Sequence, residues 1–145
     1  MKRTGPIVIV EDDPDDQLIM EGIFHDLGVK NKLYFFSNPP DVLEYLSSTS
    51  EDPLIIISDV NMPGMDGIEL RHSINQSDYL RKKSIPFIFY TTSAKRESVD
   101  LAYDMMVQGY FQKPNSIEEA RSTLKMILDY WNVCLHPNCY TTPKL

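Results

Sequence analysis

Two rhythms of apolar residues alternate along the chain. Short unbroken runs rich in β-branched and aromatic residues fall at Ile7 to Val10, Leu33 to Phe36, Leu54 to Ile57, Ile85 to Tyr90 and Tyr110 to Gln112. Runs of this length, bounded by proline, glycine or polar clusters, read as strands buried on both faces. Between them, apolar side chains recur at intervals of three and four, the spacing of one face of a helix.

The first such stretch starts at Asp13-Pro14, with Asp13 as N-cap and Pro14 at the first helical position. Asp15 and Asp16 fall in the first turn, where negative charge suits the helix dipole. Ile19, Met20, Ile23, Phe24 and Leu27 make its apolar face, and Gly28 is the expected stop. Ser37-Asn38-Pro39-Pro40 starts a second helix that runs through about Leu46. A third runs from about Gly67 to Asn75, and the stretch from Gln76 to Ser84 reads as a loop. A fourth spans Lys95 to Val107, with Val99, Ala102, Tyr103 and Met106 on one face and Gly109 as its stop. Asn115 or Ser116 caps the last helix, whose stripe is Ile117, Ala120, Leu124, Ile127, Leu128 and Trp131. His136 to Leu145 is a polar, proline-containing tail. The expected division is a domain over 1–133 and a tail over 134–145. Strand and helix repeated five times with short connections predicts an α/β fold: a doubly wound five-stranded parallel sheet with helices on both faces.

Composition narrows the function. A chain of 145 residues suits one domain with a real core. A net charge of -7 argues against a sequence-independent grip on nucleic acid or an anionic membrane. No apolar run approaches the roughly 20 residues that span a bilayer. The segment Met1 to Pro6 lacks the pattern of a signal peptide, so the cytoplasm is the expected location. The two cysteines, Cys134 and Cys139, make no disulfide framework. With His136 they give three residues of zinc-ligand type, but a structural zinc site takes four and no fourth is near. Incidental reduced thiols are the expectation.

The chemistry collects at the strand ends. The first run ends in Glu11-Asp12, the third leads into Asp59 with Asn61 two residues on, the fourth ends at Thr91 and the fifth at Lys113. In open α/β sheets ligands bind at the carboxyl ends of the strands. Three carboxylates held close repel unless a cation sits among them, and all-oxygen ligands suit Mg2+. Such a cation offsets the charge of an incoming phosphoryl group. A carboxylate so placed can attack phosphorus and form an acyl phosphate. Lys113 can pair with a phosphoryl oxygen or with Asp59, and Thr91 can donate to another oxygen.

These residues carry a resemblance. Glu11-Asp12 follows the first strand; Asp59 opens Asp-Val-Asn-Met-Pro-Gly-Met-Asp-Gly; Thr91 lies five residues after Pro86; Lys113-Pro114 follows Gly109-Tyr110. In that order, each at a strand end, they resemble the response-regulator receiver family from about Gly5 to Trp131. The resemblance implies the flavodoxin-like strand order 2-1-3-4-5. It implies a phosphorelay protein whose Asp59 is phosphorylated by a sensor histidine kinase or a histidine phosphotransfer protein. Asp12, Asp59 and the backbone carbonyl of Asn61 would hold Mg2+, with Glu11 acting through water. Thr91 would swing toward the phosphoryl group and Tyr110 would move inward, changing the surface of the fourth helix, fifth strand and fifth helix. The resemblance also implies a cis Lys113–Pro114 bond. Thr92 stands where many receivers have alanine, and Asn115 where an apolar residue is frequent. Thr91-Thr92-Ser93, the long 76–84 loop and the tail resemble a subgroup of stand-alone receivers found with phytochrome-like kinases.

Other readings are weaker. Asp59 alone could cap a turn, and Tyr110 could be plain core. Asp13, Asp15 and Asp16 fit a helix N-terminus and are left outside the site. His25 and His72 read as solvated, and no Ser or Cys has a triad partner. Asp59-Val60-Asn61 begins like a calcium loop, but Pro63 and Leu70 stand where ligands are needed. An aspartyl phosphatase would want an acid at position 61, where Asn61 cannot serve, so turnover on an outside substrate is not expected. A flavin-binding relative would want a Ser/Thr/Gly-rich loop after the first strand, the opposite of Glu11-Asp12-Asp13-Pro14. A receiver-like scaffold that is never phosphorylated is the alternative. With no room for a DNA-binding domain after Trp131, output is expected through protein contacts or phosphate relay. The tail is compatible with a homodimer contact without requiring one.

Overall fold

The computed structural model of the chain describes residues 4–138. Five strands, β1 (Ile7–Val10), β2 (Leu33–Phe36), β3 (Ile55–Ser58), β4 (Phe87–Thr91) and β5 (Gly109–Gln112), pair in parallel in the order β2-β1-β3-β4-β5. Six helices connect and follow them: α1 (Pro14–Asp26), α2 (Pro39–Ser48), α3 (Gly67–Gln76), α4 (Asp78–Lys82), α5 (Arg96–Asp104) and α6 (Ile117–Val133). The sheet order and the fold class are those expected.

Strand side chains alternate between two cores. Ile7, Ile9, Ile55, Ile57, Ile88 and Tyr90 pack with α1 and α6, chiefly through Phe24, Leu124 and Ile127. Val8, Val10, Ile56, Phe87 and Phe89 pack with α2, α3 and α5, through Val42, Leu46, Leu70 and Ala102. Burial on both faces explains why the strands read as unbroken apolar runs rather than alternating ones. Three helix starts use side chains as their sequences predict: Asp13 accepts from the Asp15 N–H at 2.9 Å, Asn38 from Asp41 at 3.0 Å, and Ser116, not Asn115, from Glu119 at 3.1 Å.

Several expectations are corrected. The 76–84 stretch contains α4, because the Ser77 hydroxyl caps Leu80 N–H at 3.2 Å and Leu80 is buried. The helix expected over 95–107 ends at Asp104, and Met106 takes a left-handed turn with φ 61°. The turn that follows is held from another helix: Arg71 donates to the Met105 and Met106 oxygens, and Asn75 to Met105. Gly109 therefore opens β5 instead of ending the helix. Of the expected apolar face, Ala102 is buried while Tyr103 and Met106 are exposed, since this short helix meets the sheet along a narrow strip. Ile117 is exposed too, in the first turn of α6. The Lys113–Pro114 bond is trans; a tertiary amide favours that isomer by about 0.5–1 kcal/mol, and Lys113 reaches its carboxylates without the other.

His136, expected in a polar tail, is fully buried. Its Nε2 donates to the Leu54 carbonyl at 2.7 Å, and its Nδ1 accepts from the Asn138 N–H at 3.0 Å. Both ring nitrogens are thus engaged in hydrogen bonds, which disfavours a zinc site further; Cys139 lies outside the described residues.

Candidate functional site

Register brings the expected residues to one edge. Val10 pairs with Ser58 and Thr91 with Gln112, so the residues after β1 and β3, and those after β4 and β5, emerge side by side. Each exit is tied to its neighbour by one further ladder bond: Asp59 N–H to Val10 O at 2.9 Å, Glu11 N–H to Phe36 O at 2.9 Å, and Lys113 N–H to Thr91 O at 2.7 Å.

Asp59 is 8% exposed. Its Oδ1 accepts from the Val60 N–H at 2.7 Å and the Asn61 N–H at 3.2 Å, and its Oδ2 accepts from Lys113 Nζ at 3.2 Å. The carboxylate is therefore oriented from both oxygens before any ligand arrives. The loop beyond it closes where the Gly67 N–H meets Val60 O at 2.9 Å. A Cβ at Gly67 would stand 2.1 Å from the Asp59 carbonyl oxygen and 2.8 Å from the Phe89 ring, so only glycine lets α3 start this close to the Asp59 backbone. Sequence reading took Gly67 as a helix start alone; a glycine opening a helix just after a strand-end acid was the available signal.

Glu11, Asp12 and Asp59 each offer a carboxylate oxygen, all within 4.8 Å of one another. That donor set, oxygen only and net negative, fits a hard divalent cation. Burial pushes the Glu11 carboxyl up to about 7, with the Lys113 ammonium pulling the other way and the Asp59 charge adding to the rise. Burial works against the Lys113 ammonium, but its hydrogen bonds to Glu11 and Asp16 and the charge of Asp59 outweigh that and hold it above the ordinary lysine value. Lys113 donates to Glu11 Oε1, to Asp16 Oδ2 at 2.9 Å and to Asp59 Oδ2. The Asp16 contact was not foreseen, because an acid in a first helical turn already explains itself.

Thr91 is fully buried, and its Oγ1 accepts from the Ser93 N–H at 3.4 Å. Tyr110 is half-buried, its ring 5.8 Å from Phe89, and its hydroxyl donates to the Ser93 carbonyl at 2.7 Å. Ser93, which was given no role of its own within Thr91-Thr92-Ser93, thus joins Thr91 to Tyr110. Asn61 is exposed and enters through its N–H on Asp59; Thr92 is also exposed.

Residues 7–125 match the response regulator receiver domain. The chain is 31% identical to the chemotaxis protein CheY-3 of Vibrio cholerae over 130 residues, covering 89% of this chain and 95% of that one. It is 29% identical over 129 residues to the transcriptional regulator NtrC of Escherichia coli, of whose length it spans 26%. The structure of the phosphorylated cyanobacterial phytochrome response regulator RcpA superposes with a TM-score of 0.83 at 22% identity, over 92% of this chain and 98% of that one. The receiver domain of the sensor histidine kinase PA1611 from Pseudomonas aeruginosa, with magnesium coordinated in its active-site cleft, gives 0.73 at 22% identity, over 90% and 98%. With sheet order, strand-end acids and lysine in register, this chain belongs to the response regulator receiver family of two-component systems.

Proposed function

We propose that the protein is a phosphorylation-switched signalling protein whose Asp59 accepts a phosphoryl group from a sensor histidine kinase or a histidine phosphotransfer protein. The observation that carries this is the Asp59 carboxylate itself: Oδ1 is fixed by two backbone N–H groups and Oδ2 by Lys113, with Glu11 and Asp12 alongside. An Asp59 oxygen forms the bond to phosphorus as the bond from phosphorus to the donor nitrogen breaks, and the leaving imidazole keeps the electron pair. Lys113 turns one N–H from Asp59 to a phosphoryl oxygen.

Glu11, Asp12 and Asp59, with the Asn61 carbonyl, would hold Mg2+. When bound, the ion offsets phosphoryl charge. Thr91 donates its hydroxyl to the phosphoryl group, and the Ser93 link carries that motion to Tyr110, on the face formed by α5, β5 and α6. The reading is completed by output through protein contacts or phosphate relay without DNA binding, in the cytoplasm, by a single receiver domain over 1–133, with a homodimer as one form of contact. No helix among the described residues is long and apolar enough to cross a membrane. The likeness to RcpA favours a phytochrome-type kinase upstream.

The test is incubation with acetyl phosphate and Mg2+, read by intact mass. One added phosphoryl group is expected, absent in Asp59→Asn and in EDTA. If a histidine kinase also fails to label the folded protein, this reading is wrong and the constitutive scaffold takes its place.

A further inference from the structure

The Lys113 ammonium has three N–H donors, and three carboxylates meet it: Glu11 Oε1, Asp16 Oδ2 at 2.9 Å and Asp59 Oδ2 at 3.2 Å. Two of these acids belong to the strand-end site. The third comes from the first turn of α1. We propose that Asp16 is a positioning residue, holding the Lys113 ammonium where the phosphoryl group on Asp59 will need it. The inference rests on the phosphoacceptor reading above.

The longest of the three contacts is the one to Asp59, and it is the one that changes when Asp59 takes a phosphoryl group. Glu11 belongs to the trio that would share a cation. Asp16 lies outside that trio, so its hold on Lys113 persists through metal binding and phosphorylation. It is itself well placed to act as a fixed point. Asp13 caps the helix through the Asp15 N–H, Pro14 sets the first helical φ, and the Gln17 side chain ties the same turn to the Glu11 carbonyl.

A lysine is a point charge on a flexible stem. A pocket of about 130 Å³ is lined by Asp16, Ile19, Tyr90, Lys113, Pro114 and Ile117 among others. Without Asp16 the ammonium keeps two of its three carboxylates, both at the site that metal and phosphoryl group would contest. An acid serving only the helix dipole would not touch Lys113, and Asp15 already supplies a charge in that turn.

The experiment measures acetyl phosphate phosphorylation at saturating Mg2+ in wild type, Asp16→Ala, Asp16→Glu, Lys113→Ala and the Asp16→Ala/Lys113→Ala double variant. Asp16→Ala is expected to slow the reaction about tenfold, the scale of one charge-assisted hydrogen bond. Asp16→Glu is expected to recover most of that loss. In the Lys113→Ala background the Asp16 change should add nothing, because the two act as a unit. In the unphosphorylated protein, the Lys113 ammonium protons should exchange with water faster in Asp16→Ala than in wild type. Equal slowing in both backgrounds, or a lowered melting temperature with unchanged rate and exchange, overturns the assignment. A wild-type protein that accepts no phosphoryl group from any donor instead sinks the phosphoacceptor reading, and the ammonium exchange then decides the Asp16–Lys113 contact by itself.

Discussion

At the scale of single residues, the site is a problem of crowded negative charge, and Glu11 is where the crowding shows. Burial raises its carboxyl to about 7, from an ordinary 4.5. A carboxyl raised in this way favours the fold in its protonated form. That contribution is full below about pH 4.5 and is lost as pH rises through about 7. Metal needs the ionised form, so metal binding must expel the proton below that point. Mg2+ affinity should therefore fall by up to about tenfold per pH unit below pH 7 and level off above it. Titration calorimetry between about pH 6 and pH 8 reads this directly, and in Glu11→Gln the pH dependence should vanish. An affinity flat across that range in wild type would mean that Lys113 keeps Glu11 ionised throughout. The residues that carry charge at the strand ends were legible in the sequence because each follows an apolar run. Asp16 and Ser93 were not, since their roles lie in contacts with Lys113 and Tyr110, 97 and 17 positions away.

At the scale of elements, α3 deserves comparison with α5. The first begins against the Asp59 loop at Gly67 and, one to two turns on, presents Arg71 and Asn75 to the end of the second. Arg71 is buried; its Nε and Nη2 donate to the Met105 and Met106 carbonyls at 3.0 and 2.9 Å, and its guanidinium lies 5.3 Å from the Phe87 ring centre. These bonds satisfy the carbonyls of the C-cap residue Met105 and of Met106 just past the end of α5. Arg71→Ala should cost about 2–4 kcal/mol, since it removes two charge-assisted bonds and leaves a buried gap. Arg71→Lys should recover little, because an ammonium on its flexible stem lacks the rigid planar fork that spans both carbonyls while lying against the Phe87 ring. Urea midpoints measure the cost, and faster amide exchange at Met105 to Val107 would locate it at the end of α5. The same interaction explains why sequence reading ran this helix on to Val107: local spacing allowed the extra turn, and a cap from another helix stopped it. The short α4 was missed for a related reason, its single buried anchor at Leu80 being too brief for a period to register.

At the scale of the whole molecule, the parallel sheet separates chemistry from support. All strands point the same way, so charge gathers at their carboxyl ends, and the opposite edge is left for packing. There the chain returns after α6 and lays His136 against Leu54, just before β3. A carbonyl can only accept and a backbone N–H can only donate, so Nε2 is the donor to Leu54 and Nδ1 the acceptor from Asn138. Trp131 stacks edge-on at 6.0 Å, and the Asn138 side chain donates to the Lys83 carbonyl at 2.8 Å, extending the seam toward α4. His136→Ala would empty a buried ring site and leave the Leu54 carbonyl without that donor, a loss of about 2–4 kcal/mol. Because this contact lies across the sheet from Asp59, the phosphorylation rate of the folded variant should match wild type even as its denaturation midpoint falls. A slowed rate at a temperature where the variant is fully folded would instead show that the two edges communicate, with β3, which lies between Leu54 and Asp59, as the shortest path between them.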